Sequence, residues 1–293
     1  MSEAIIFEPR EHPGVVSDKD TIIVTTNHLG ADMRGDAGLD AQYLADLSGH
    51  RVIGLKRLGS GDAVDYSRSL AKEITNSPEA VTERWYSVLD PALRKEAPSR
   101  VELLGRSAGA GLMLHVAALE LIPETTGILA IEALRLQRVN TRRGQMKYVH
   151  YQLRREGNFK ADIDSIVDQD LQPSTDPRPA EAADAKLMIR RQLKDIRHYQ
   201  HLWASDLALK NAVTVARNDK LTASFVFAEV SMAADPGKLD GYLNQIRAAR
   251  LLNANNALSC EVAPRTTHGS FDDQRLYATY YCRFTKLFSD SIS

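Results

Sequence analysis

The sequence predicts an α/β fold: a mostly parallel central sheet flanked by helices, with a helical cap inserted into it. Three observations carry this. Short apolar, β-branched runs alternate with helical patterns through the first part of the chain, in the order strand, helix, strand, helix, strand, helix, strand. Strands spaced by helices pair in parallel through right-handed crossovers. The alternation then stops between about 140 and 217, where no convincing strand pattern occurs, and resumes with two more strands, each followed by a helical pattern.

The elements follow in chain order. Residues 1–20 are polar, with Pro9, Pro13 and Gly14, and read as a leading arm or edge strand. Residues 21–26 form a β-branched run, read as a buried strand. A polar loop with Asn27, His28, Leu29 and Gly30 follows it. Leu39, Tyr43, Leu44 and Leu47 share one face of a short helix over 40–47. Residues 51–56 are the next strand. Helical spacing then runs from about 65 to 93, with Pro78 near the first turn of its second half. Residues 101–105 are the third strand. The helix after it, to about 121, is apolar nearly all round, which marks a central helix. His115 within it reads as a core histidine. Residues 127–132 are the fourth strand.

The intervening segment carries a basic helix over 141–157, a Pro-rich turn over 173–179 and one or two long helices over 181–216. The basic face, with Arg142, Arg143, Lys147, Arg154 and Arg155, reads as solvated. Met146, Tyr148, Tyr151, Leu153, Trp203 and Leu207 are candidates to line the underside of a cap. Strand patterns return at 222–229 and 257–262, with helices over 237–251 and 272–288. The expected organisation is therefore a core of 1–139 and 218–293 with a helical cap over 140–217.

Composition narrows the classes of function. The chain has 293 residues, 43% hydrophobic and 26% charged, the profile of a globular protein. A formal net charge of -1 argues against nucleic acid or an anionic membrane as partner. No apolar stretch is long enough to span a bilayer, and the N-terminus lacks a secretory pattern, so a cytoplasmic location is expected. Cys260 and Cys282 sit in apolar contexts and read as buried thiols, and no Cys/His spacing suggests zinc.

The third strand ends in Gly105-Arg106-Ser107-Ala108-Gly109, a G-x-S-x-G pattern between a strand and an Ala/Gly-rich helix start. This is the arrangement of a nucleophile elbow. A serine hydroxyl is a weak nucleophile and must stand clear of the backbone to meet a base and a substrate carbonyl. A sharp strand-to-helix turn lifts it out, and its neighbours must lack bulk. The helix start also directs backbone N–H groups at the reaction centre. A serine of this kind needs a histidine base and an acid to orient it. His268 follows the last strand. Asp235 lies in the loop after the preceding strand, giving the order Ser107, Asp235, His268. Glu229, at the end of that strand, and Glu132, at the end of the earlier one, are alternatives for the acid.

The elbow, the alternation, the insertion and the terminal histidine loop together resemble the α/β-hydrolase fold superfamily over nearly the whole chain outside 140–217. The resemblance implies roles for the matching residues. Ser107 would attack a carbonyl carbon, His268 would be the base, and Asp235 would orient the imidazole. The Ala108 N–H would be one oxyanion donor, with Leu29 as the expected second. A carboxylic ester, thioester or amide of a small to medium molecule is the expected substrate. No metal or organic cofactor is implied. Acyl transfer, or a non-catalytic binding use of the fold, remains open, as does oligomeric state.

Overall fold

A computed structural model of the chain describes residues 4–10, 18–26, 36–55, 77–133, 154, 157–171, 206–230, 236–250 and 257–292. Seven strands form one sheet: β1 (Ala4–Phe7), β2 (Asp18–Thr26), β3 (His50–Leu55), β4 (Arg100–Arg106), β5 (Thr125–Ile131), β6 (Thr222–Val230) and β7 (Leu258–Thr267). Their order is β1-β3-β2-β4-β5-β6-β7. β1 runs antiparallel to β3 at one edge, and every other pair is parallel. Six α-helices accompany them among the described residues: α1 (Asp36–Ser48), α2 (Pro78–Glu96), α3 (Ala108–Ala118), α4 (Asp206–Arg217), α5 (Pro236–Arg250) and α6 (Gln274–Ile292).

The apolar runs read as strands are continuous because the sheet is covered on both faces. Adjacent residues of one strand enter opposite cores. Ile22, Leu103, Ile128 and Phe225 join α2, α3, α4 and α5 on one side. Ile23, Leu104, Leu129 and Val226 join α1 and α6 on the other. The helix read as central is central: Leu112, Met113, Leu114 and Val116 of α3 are all buried. The arm before the first core strand supplies the edge strand β1, as expected.

β7 extends past the run over 257–262, through Pro264 and Arg265 to Thr267. Its register against β6 shifts between the Ala228/Ala263 and Val230/Thr267 pairs. Arg265 lies there at φ 51°, and Glu229 Oε2 accepts its backbone N–H at 2.6 Å. A bulge of this kind interrupts the apolar alternation, so the sequence pattern stops short of the true strand end.

Part of the segment read as a helical cap is described. α4 packs between α3 and α5 as the crossover into β6. Val167 is buried in the cluster under α6, Asp168 N–H donates to Thr279 Oγ1 at 3.0 Å, and Asp162 pairs with Arg265 at 2.9 Å. Residues 160–171 thus lie against the core. The helices read over 65–76 and 181–205, and nearly all of the basic helix over 141–157, lie outside the described residues.

Gly105 governs how closely α3 approaches the sheet. A Cβ there would stand 2.6 Å from both the N and the Cα of Ala110 and 2.7 Å from the carbonyl carbon of Gly109. Backbone cannot step aside as a side chain can, so Gly105→Ala should cost about 3 kcal/mol, read by urea denaturation. Gly127→Ala, opposed by the Phe284 ring tip at 2.6 Å, should cost less.

His115 is 2% exposed and accepts from Asn211 Nδ2 at Nδ1, 3.0 Å away, joining α3 to α4. Burial pushes its imidazole below the ordinary histidine range. The unfolded chain therefore takes up this proton first as pH falls. Stability is unaffected well above about 6.5 and declines as pH drops below it toward the folded value. Denaturation midpoints at acid and neutral pH should show a smaller acid-side loss in His115→Gln than in the wild type.

Candidate active site

The sheet order creates the site. From β2 the chain passes to β3 on one side and returns to β4 on the other, so the carboxyl ends of β2 and β4 border a topological switch point, where open α/β sheets hold ligands. Ser107 sits there, immediately after β4 and immediately before α3. It adopts φ 53°, ψ −122°, a conformation that L residues rarely take. Its N–H donates to Ile131 O at 2.8 Å, continuing the ladder to β5, and its carbonyl accepts from Gly111 N–H at 3.2 Å, opening the helix. The strained turn is thus held from both sides, and Gly105 leaves the room it needs. The residue is 8% exposed.

The register of β4 and β5 pairs Arg106 with Ile131, which brings Glu132 beside Ser107 in the next row. Glu132 is fully buried and also adopts a positive φ, 54°. Its N–H donates to Val226 O at 2.7 Å. One carboxylate oxygen accepts the Ala228 N–H of β6. The other accepts from His268 Nδ1–H at 2.8 Å. A carboxylate only accepts, so this bond places the proton on Nδ1 and leaves Nε2 as the basic nitrogen of the neutral ring.

His268 opens a short 3₁₀ turn, His268–Asp272, directly after β7. The turn is closed at its start by Thr267 N–H donating to Ser270 Oγ at 2.9 Å. At its far end Phe271 is 1% exposed and its ring lies 5.8 Å from that of Tyr280 in α6. Arg106, 9% exposed, reaches across from the end of β4 and donates to Phe271 O and to the Asp272 carboxylate. The turn bearing His268 is therefore tied to the strand bearing Ser107.

Of the residues singled out from sequence, Ser107 and His268 lie at the carboxyl edge of the sheet, and Ala108 begins α3. Leu29 and Asp235 lie outside the described residues. Among the acids, the described contact of His268 is with Glu132. Glu229 instead bonds Arg265 N–H in the β7 bulge. Sequence reasoning passed over Arg106, although a charged residue standing between an apolar strand run and the serine was a signal. Among the described residues no group of three or more His, Cys, Asp or Glu side chains stands in position to hold a metal ion, and no helix is long and apolar enough to cross a membrane.

No known protein family profile matches the chain, and no curated protein sequence does. Solved structures do. A soluble variant of monoglyceride lipase from Saccharomyces cerevisiae aligns at 12% identity and TM-score 0.58, over 99% of this chain and 91% of that one. A thermostable carboxyl esterase from Bacillus coagulans aligns at 10% identity and TM-score 0.59, over 100% and 94%. MenH from S. aureus aligns at 13% identity and TM-score 0.54, over 100% of both chains. At such identities the likeness speaks for the architecture.

Proposed function

We propose that this chain, which has the α/β-hydrolase fold, is a serine hydrolase that cleaves a carboxylic ester, or a related thioester or amide, with Ser107, His268 and Glu132 as its triad. The observation that carries the reading is the 2.8 Å bond from His268 Nδ1–H to a carboxylate with no exposed surface. A buried carboxylate on Nδ1 selects the tautomer in which Nε2 accepts a proton and stabilises the imidazolium that results. Few purely structural needs call for a fully buried charge. The positive φ at both Ser107 and Glu132 is the kind of backbone strain that collects at active sites.

In this mechanism Ser107 Oγ attacks the carbonyl carbon as its proton passes to His268 Nε2. The tetrahedral intermediate's oxyanion accepts the Ala108 N–H at the start of α3, with the Leu29 N–H as second donor. The C–O bond to the alcohol then breaks while His268 returns the proton to the leaving oxygen. Water, deprotonated by the same imidazole, hydrolyses the acyl-serine and frees the carboxylic acid. Each oxyanion donor contributes about 3 kcal/mol in the transition state. Glu132 takes the acid's place among the three carboxylates because of its contact with the imidazole. Ser107, Glu132 and His268 keep the chain order nucleophile, acid, histidine.

Hydrolysis of short p-nitrophenyl esters and labelling by a fluorophosphonate probe test the reading. Ser107→Ala should abolish labelling and leave only background turnover. Glu132→Gln should lower kcat by roughly a thousandfold or more, by analogy with losing the orienting acid elsewhere. Asp235→Asn should stay within a few-fold of wild type. Unchanged turnover in Ser107→Ala sinks the proposal, and a large loss in Asp235→Asn with none in Glu132→Gln moves the acid to Asp235.

A further inference from the structure

We propose that Arg106 is a positioning residue for His268, its guanidinium pinning the histidine turn to the strand that carries the nucleophile. The inference rests on the reading of His268 as the base. Arg106 occupies the variable place before the serine in G-x-S-x-G, at the last position of β4. Its guanidinium is almost wholly withdrawn from water, and arginine is seldom so buried unless its donors are used. Here Nη1 donates to Phe271 O and Nη2 to the Asp272 carboxylate. These acceptors lie 165 and 166 residues along the chain from Arg106, three and four places after the histidine.

Other restraints act on the turn as well. Thr267 and Ser270 close its base, the Phe271 ring seats it on Tyr280, and Glu132 holds the imidazole. None of these named partners belongs to β4, although the Phe271 ring shares an apolar cluster with Leu104. Arg106 makes a polar tie from β4 to the turn, and it is covalently next to Ser107. The distance between serine and imidazole is the one on which proton transfer depends, and a misplacement of about 1 Å can cost about a hundredfold in rate. A planar fork suits two acceptors of different kind at a fixed separation, whereas a lysine ammonium is a single point charge. One acceptor is a buried backbone carbonyl and the other a partly exposed carboxylate of the same turn, so the pairing acts on the geometry of that turn.

The test compares wild type, Arg106→Ala, Arg106→Lys, Asp272→Asn and the Ser107→Ala control. Turnover of p-nitrophenyl esters is measured with and without millimolar guanidinium ion, together with hydrogen exchange of the amides of residues 267–272. Arg106→Ala should lose roughly 30-fold in kcat with KM within about threefold. Added guanidinium should restore part of that loss, and Arg106→Lys should restore little of it. Exchange across the turn should quicken. Asp272→Asn, whose side chain is 62% exposed, should lose about threefold in kcat with faster exchange. A folded Arg106→Ala with kcat and exchange like wild type overturns the proposal. If that variant fails to fold, unchanged kcat and exchange in Asp272→Asn overturn it. Turnover that persists in Ser107→Ala instead sinks the catalytic reading, and the exchange comparison still reports on the tether.

Discussion

The carboxylate of Glu132 is the constraint around which the carboxyl edge of the sheet is arranged. A charged group with no exposed surface is costly unless every lone pair is engaged. Here one oxygen takes the Ala228 N–H of β6 and the other takes His268 Nδ1–H beyond β7. The residue's own N–H goes to Val226 O. A single side chain at the end of β5 thereby binds the ends of three neighbouring strands. Removing the imidazole would leave the buried carboxylate short of a bond, so Glu132 and His268 are coupled.

Two devices make room for it. The first is the close approach of α3 to β4, which only a glycine at 105 permits. It lets Ser107 turn sharply from strand into helix, with the helix N–H groups beginning at once. The second is the bulge in β7. There Arg265 takes a positive φ and Glu229 satisfies its N–H, and the strand continues to Thr267 before the histidine turn begins. The bulge also binds residues 160–171 to the core, since Asp162 N–H donates to Arg265 O and its carboxylate pairs with the Arg265 guanidinium. Strain at both places is supported by packing on either side of the sheet, where adjacent residues of each strand enter separate apolar cores.

Buried charges occur in adjacent rows of this edge. Arg106 ends β4 and Glu132 follows β5, with opposite sign and different partners. Both converge on the segment from His268 to Asp272, one on the imidazole and one on the backbone and carboxylate beyond it. A loop at a strand end is ordinarily among the more mobile parts of a protein. This one is gripped at its first residue, its last residue and its base. Restraint at these three points holds the segment in one arrangement.

The sequence by itself determined the order of strands and helices, the central place of α3 and the turn at Ser107. Those depend on local patterns: apolar runs, period and the small residues around a serine. It also singled out His268, because a histidine after the last strand stands out along a chain, and in the fold that residue meets Glu132. Which carboxylate meets the imidazole was a different matter. Asp235, the first choice from sequence, lies outside the described residues, and the alternatives Glu229 and Glu132 both stand at or beside strand ends. Strand order set Glu132 next to the elbow, the β7 bulge took up Glu229, and burial left the imidazole as partner for the first. Arg106 was likewise beyond local reading, since its acceptors lie more than a hundred residues away. Contacts between strand ends are made by the sheet as a whole, and only the folded chain decides which side chains share them.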